Sequence, residues 1–247
     1  MNRNDSFSVG ASPVPSIVAG ANGYAEKSGI EPLNTGFGHV VMPESVSRRI
    51  ASAYDRMPSF DNQAVPAFHA MAEETGRQFD HMTRPRSKGG MGIDVEVTKH
   101  DPYGAAGYHT VIPELRDDVE NNHRIKVLST GSTGGHPYFS NDQNDMFRAV
   151  HDVFGHLGSG RGVDFGGEEA AFQKHSSMFS PLARQAMTSE TRGQNSSLRV
   201  TGQFPEQKIA LLPNVMQRAQ FSSSASPDET SAAREIALKK NREQGIG

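Results

Sequence analysis

The stretch NDMFRAVHDVFGH, residues 144–156, joins an amphipathic helical pattern to two histidines. Met146, Phe147, Val150, Val153 and Phe154 recur at helical spacing, and Asn141 or Asp142 just upstream is a residue type that caps a helix start. His151 and His156 stand five positions apart. On an ideal α-helix that step turns two side chains about 140° away from each other, so they converge only if the helix ends or bulges. Gly155 makes such a break easy, and the spacing predicts one at Phe154-Gly155.

Outward from this helix the pattern stays mostly helical. Apolar periodicity predicts helices over Pro43–Met57 and Ala64–Met82, and a short one over Pro113–Asn121 between two alternating segments, Ile93–Val97 and Ile125–Ser129, that suit a small strand pair. Downstream, a glycine-rich turn (GSGRGVDFGG, 158–167) leads to a helix over 168–179, and Pro181 starts another. Phe204 to Leu212 reads as a short amphipathic turn, and Ser226-Pro227-Asp228-Glu229 as a capping box launching a charged helix to Gln244. The expected fold class is mainly α with a small β element (α+β). Residues 1–42 are expected to form an irregular arm, 43–215 a single metal-binding catalytic domain, and 216–247 a linker with the charged helix.

Composition narrows the chemistry. With no cysteine among 247 residues, disulfides, thiolate metal sites and thiol nucleophiles are excluded, leaving nitrogen and oxygen donors. The 25 basic and 28 acidic residues are interspersed, so no basic patch advertises a nucleic-acid surface. No apolar run approaches the roughly 18 residues that span a bilayer, and the N-terminus lacks a signal-peptide pattern, so a cytoplasmic location without membrane contact is expected. The 158–167 glycines lack the lysine and context of a phosphate loop.

Two imidazoles favour zinc, copper, iron or nickel, and with one carboxylate they make the facial triad of non-haem Fe(II) oxygen chemistry. Periodicity puts Glu190 on the buried stripe of Leu182, Ala183, Ala186 and Met187, where an unpaired carboxylate is costly and a metal would relieve it. Glu190 is therefore the first choice of third ligand. Glu168 and Glu169 are its rivals, although a helix N-terminus already accounts for their acidity. Asp152 faces about 100° away from His151 on a helix, which suits an outer hydrogen-bond partner or solvent. Arg192, Gln194, His175 and Tyr138 are expected to line a substrate pocket, with Thr191–Asn195 reading equally as a binding turn or a polar helix terminus. His136 and the remaining histidines show no pairing signal and are expected at the surface or in loops.

His151–His156 (HDVFGH) resembles the iron-binding segment of bacterial aromatic amino-acid hydroxylases, and Met187–Gly193 (MTSETRG) resembles their glutamate-bearing segment. The resemblance covers residues 145–195 and implies iron held by His151, His156 and Glu190, O2-dependent hydroxylation, and a mostly helical catalytic domain. It also implies a pterin cofactor, although the family's pterin-contacting proline-rich motif is not evident upstream of His151. A longer resemblance, through NDMFRAVHDVFGH, GEEAA, TSETRGQN and EQKIALLP, is to uncharacterised phage and prophage proteins. Together they imply a phage-encoded hydroxylase in the host cytoplasm, acting with O2 on a small molecule such as a nucleotide or modified DNA base. Two other readings stay open: a zinc hydrolase on the same ligands with Glu168 or Glu169 as general base, and a phage structural or interaction protein with structural histidines.

Overall fold

The computed structural model describes residues 12–32, 40–105, 111–217 and 223–224. The first helix, α1 (Pro15–Lys27), lies within the expected irregular arm. Pro15 suits a first helical turn, and Ile17, Ala21 and Tyr24 form a buried stripe at i, i+4 and i+7. Gly20 and Gly23 are poor helix formers, which hid this stripe in the sequence; packing overrides them.

Strand β1 (Val40–Val41) is followed by α2 (Glu44–Asp55) and α3 (Val65–Thr83), both close to expectation. The end of α2 is closed by Lys208, whose Nζ donates to the carbonyls of Tyr54, Asp55 and Met57 at 3.2, 2.8 and 2.7 Å. A cation there satisfies carbonyls that the helix leaves open. Strand β2 (Asp94–Thr98), helix α4 (Val111–Asn122) and strand β3 (Arg124–Leu128) follow. β2 and β3 pair in parallel, Val95 opposite Ile125 and Val97 opposite Val127, and α4 provides the crossover that parallel pairing needs. A second pair joins β1 antiparallel to β4 (Ser223–Ser224).

Helix α5 (Asn141–Val150) starts at Ser140, whose hydroxyl accepts from the Gln143 amide while Gln143 reaches back. The cap is thus Ser140, upstream of both expected candidates, Asn141 and Asp142. α6 (Phe165–Ser176) starts at Asp164, whose carboxylate accepts from the amides of Gly166 and Gly167 at 3.0 Å. α7 (Pro181–Met187) runs through a π-helical segment, Thr188–Gly193, into α8 (Gln194–Thr201), which ends at Gly202 with φ 74°. The expected amphipathic turn at 204–212 forms no helical turn and is irregular, with Ile209 making an isolated parallel bridge to Phe60. The expected helix from Ser226 to Gln244 lies outside the described residues.

Two apolar clusters flank α5 and its continuation. One joins Ile17, Leu115, Ile125, Val150 and Phe154; the other joins Phe68, Met71, Phe147, Phe172 and Met187. The histidine-bearing run is thus clamped from both sides. No helix among the described residues is long and apolar enough to cross a membrane.

Candidate metal centre

Beyond Val150 the chain continues as a π-helix, His151–Leu157, so of the end or bulge expected at Phe154-Gly155 it is the bulge that forms, spread over the whole run between the histidines. Wider i→i+5 turns bring residues five apart onto one face. The two imidazoles accordingly meet edge to face, ring centroids 5.2 Å apart. Gly155 has no positive φ, so its role is not to relax the backbone. A Cβ there would lie 3.1 Å from the Ala171 carbonyl oxygen and 3.3 Å from His151 Nδ1. Glycine lets α6 close onto the π turn.

That close approach brings in Glu168, from the first turn of α6. Its Oε1 lies 3.7 Å from His156 Nε2 and its Oε2 4.0 Å from His151 Nε2. The three ligand atoms of His151, His156 and Glu168 fall within 4.8 Å of one another. Asn195 Nδ2 donates to Glu168 Oε2 at 3.0 Å, holding the carboxylate in place.

The donor set fits a metal. His156 Nδ1 lies 3.0 Å from the Arg161 carbonyl oxygen, which can only accept, so Nδ1 carries a proton and Nε2, the nitrogen facing Glu168, is the one left to ligate an ion. His151 turns its Nδ1 to His175 Nδ1 at 3.2 Å and likewise faces Glu168 with Nε2. Burial raises the Glu168 carboxyl, but His156, then His151 and Asn195, outweigh it and hold it below the ordinary carboxylate range. An anion facing two ring nitrogens needs positive charge between them, as protons or a metal ion. The 3.7 and 4.0 Å separations exceed ordinary hydrogen bonds but accommodate two bonds of about 2.1 Å meeting at one ion.

Glu190, the expected third ligand, stands outside that group. Its π segment turns it toward His136, whose Nε2 donates to Oε2 at 3.2 Å, and Gln194 Nε2 donates to the same oxygen at 2.9 Å. The other oxygen, Oε1, is buried without a hydrogen-bond partner. Glu190 nevertheless walls the same cavity as the histidines. His136 lies in a loop, as expected, but not at the surface: its side chain is fully buried, and Nδ1 accepts the amides of Tyr138 and Phe139 at 3.1 and 2.9 Å. Its partners are the backbone of its own turn and a residue far along the chain, which no local spacing could reveal.

Of the four residues expected to line a substrate pocket, only Gln194 does. Arg192 is buried, paired through its fork with Glu169 and laid over the Phe172 ring at 4.4 Å. This corrects its expected role, since no free guanidinium edge reaches the cavity, and it occupies Glu169 as well. His175 is buried behind His151, and burial, reinforced by the neighbouring imidazoles, holds it well below its ordinary range, hence neutral. Tyr138 packs its ring on Phe68 and Phe139.

The cavity measures about 450 Å³ and carries His151, Asp152 and His156 on one wall, with Leu115 and Phe147 among its apolar lining. Phe204, mostly exposed, also lines it. Asp152, expected to turn away from the site, faces this space because the π turn rotates it. Burial pushes its carboxyl up to about 6, with His156 opposing and Glu168 adding to the rise. In comparisons with known proteins, no family model, curated protein or solved structure matches this chain.

Proposed function

We propose that this protein is a mononuclear non-haem Fe(II), O2-dependent hydroxylase of a small molecule, with His151, His156 and Glu168 holding the metal. One observation carries the reading: His151 and His156, which both line a cavity of about 450 Å³, converge with the Glu168 carboxylate beside it. Two nitrogens and one oxygen, with positions left for other ligands, are the donor set of non-haem iron oxygenases, whereas structural sites are closed. The likeness of residues 145–195 to the iron-binding segments of aromatic amino-acid hydroxylases supports the same histidine pair and the same metal, with Glu190 in place of Glu168 as its carboxylate. Bound iron would supply O2 activation.

The chain's own residues do the rest. The apolar wall of Leu115 and Phe147 limits water, Gln194 and Gln207 offer amide groups to a polar substrate, and Asp152 can take or give a proton near neutral pH. Glu190 Oε1 is a second carboxylate oxygen at the cavity, able to join the metal's ligands or to accept from the substrate. The substrate class we favour is a nucleotide or modified base, held by hydrogen bonds and ring contacts and not by a basic surface.

The test is incubation of the Fe(II)-loaded protein with a reductant, either a tetrahydropterin or ascorbate, 18O2 and panels of nucleotides and amino acids. A product heavier by one 18O atom, absent with His156→Ala, is expected. Asp152 favours a second reading, a zinc hydrolase in which it is the general base, since a carboxyl near 6 suits that work at neutral pH. Ester or amide cleavage by the Zn(II) form without O2 would select it.

A further inference from the structure

Behind His151 runs a buried chain of hydrogen bonds that the metal reading does not by itself require. Gln78 Nε2 donates to the Met178 carbonyl oxygen at 3.3 Å, and Gln78 Oε1 lies 2.7 Å from His175 Nε2. His175 Nδ1 in turn lies 3.2 Å from His151 Nδ1. Gln78 and His175 are both fully buried. From this geometry we infer that Gln78 and His175 are positioning residues, which hold His151 in the form protonated at Nδ1 and so keep its Nε2 lone pair on the cavity.

The direction of the relay follows from what each atom can do. The Met178 carbonyl can only accept, so the Gln78 amide must present its NH2 there and its oxygen to His175. Reversing the amide would set two carbonyl oxygens against each other. Facing that oxygen, His175 must donate from Nε2, and a neutral imidazole that donates from one nitrogen accepts at the other. His175 Nδ1 is thus an acceptor, which obliges His151 Nδ1 to donate. One ring nitrogen of His151 remains, and it is the one facing Glu168. Outer hydrogen bonds of this kind set the tautomer and orientation of a liganding imidazole.

The relay spans three elements. Gln78 belongs to α3, His175 to α6 and His151 to the π turn, so the packing of two helices against the histidine-bearing run is converted into the protonation pattern of one ring. Phe147 and Phe179 stack around His175, with ring centroids at 5.8 and 5.0 Å, and leave it little room to rotate. His156 reaches the same end by a simpler route, its Nδ1 bonded directly to the Arg161 carbonyl. Two unrelated anchors producing the same tautomer at both rings is what a ligand pair requires.

The inference rests on the metal-site reading for its purpose but not for its test. Long-range 1H–15N correlation spectra of the metal-free full chain report which nitrogen of each histidine carries the proton. The expected result is Nδ1–H at His151 and Nε2–H at His175; Nε2–H at His151 would overturn the relay outright, with no variant needed. Gln78→Met, which fills the volume but offers no carbonyl, should give mixed tautomers at both rings and weaken Co(II) binding about 10- to 100-fold, the usual effect of losing an outer partner. Unchanged tautomers and Co(II) affinity in Gln78→Met would contradict the inference even if the fold were slightly destabilised. If the wild type shows the expected tautomers yet binds no Co(II), the relay stands and the metal reading fails.

Discussion

Arg192 and Glu169 form a buried ion pair, with the guanidinium also donating to the Met216 carbonyl oxygen. Neither charge reaches solvent, so each depends on the other to offset the loss of hydration. Glu169→Ala removes the carboxylate that both arms of the buried Arg192 fork engage, and we expect it to destabilise the fold by about 3–5 kcal/mol in urea unfolding. The metal content of the protein that remains folded should be unchanged, because Glu169 is not among the proposed ligands. A drop in metal content with full stability would instead return Glu169 to the site. Glu168, its neighbour, differs in fate only because consecutive residues on a helix diverge by about 100°.

At the scale of elements the π turns decide the chemistry. Gly155 lies where α6 presses on His151–Leu157, and Gly155→Ala must push the Ala171 carbonyl or the His151 ring by a few tenths of an ångström. Gly155→Val should destabilise by about 1–3 kcal/mol through overpacking, and weaken metal binding more than Gly155→Ala does, by moving Glu168 away from the histidines. Calorimetry with paired metal titrations measures both.

The sequence carried part of this. Helices over 44–55 and 65–83 and the strands at 94–98 and 124–128 stood out because their apolar residues keep one period throughout. The convergence of His151 and His156 was legible as a demand for a distorted helix, but spacing cannot say whether the distortion is an end or a run of π turns. Glu168 was legible as a rival ligand but ranked behind Glu190, because a helix start already explained its acidity and its approach to the histidines comes from the packing of α6. Glu190 is buried as its stripe required, but it falls outside the His151, His156 and Glu168 group because it lies in a second π segment, where His136 and Gln194 hold it. His136 and Gln78 act through partners more than fifty residues and nearly a hundred residues away, and left no local trace.

For the molecule as a whole, Asp118 links structures that border the cavity. It accepts from Tyr103 Oη at 3.1 Å, Asn122 Nδ2 at 2.9 Å and Arg124 at 3.2 Å, and its other neighbour, Lys126, lies at 3.4 Å. Burial raises its carboxyl, but Asn122, Arg124, Tyr103 and Lys126 prevail and hold it below the ordinary value of 3.8. A depressed folded-state value contributes stability that is present above pH 3.8 and is lost as pH falls through the lower folded value. Urea unfolding of Asp118→Asn should therefore show lower stability at neutral pH and a smaller further loss on acidification below about pH 4 than the wild type. Equal slopes for both proteins would remove Asp118 from the acid response.

The claim on which the functional reading turns is that one metal ion is held by His151, His156 and Glu168. Its most direct test is anaerobic loading with Fe(II), removal of free metal and elemental analysis of the wild type, His156→Ala, Glu168→Ala and Glu190→Ala. The account predicts one iron per chain in the wild type, almost none in His156→Ala and Glu168→Ala, and substantial retention in Glu190→Ala. Iron-free wild type, or full loading of His156→Ala, would contradict it.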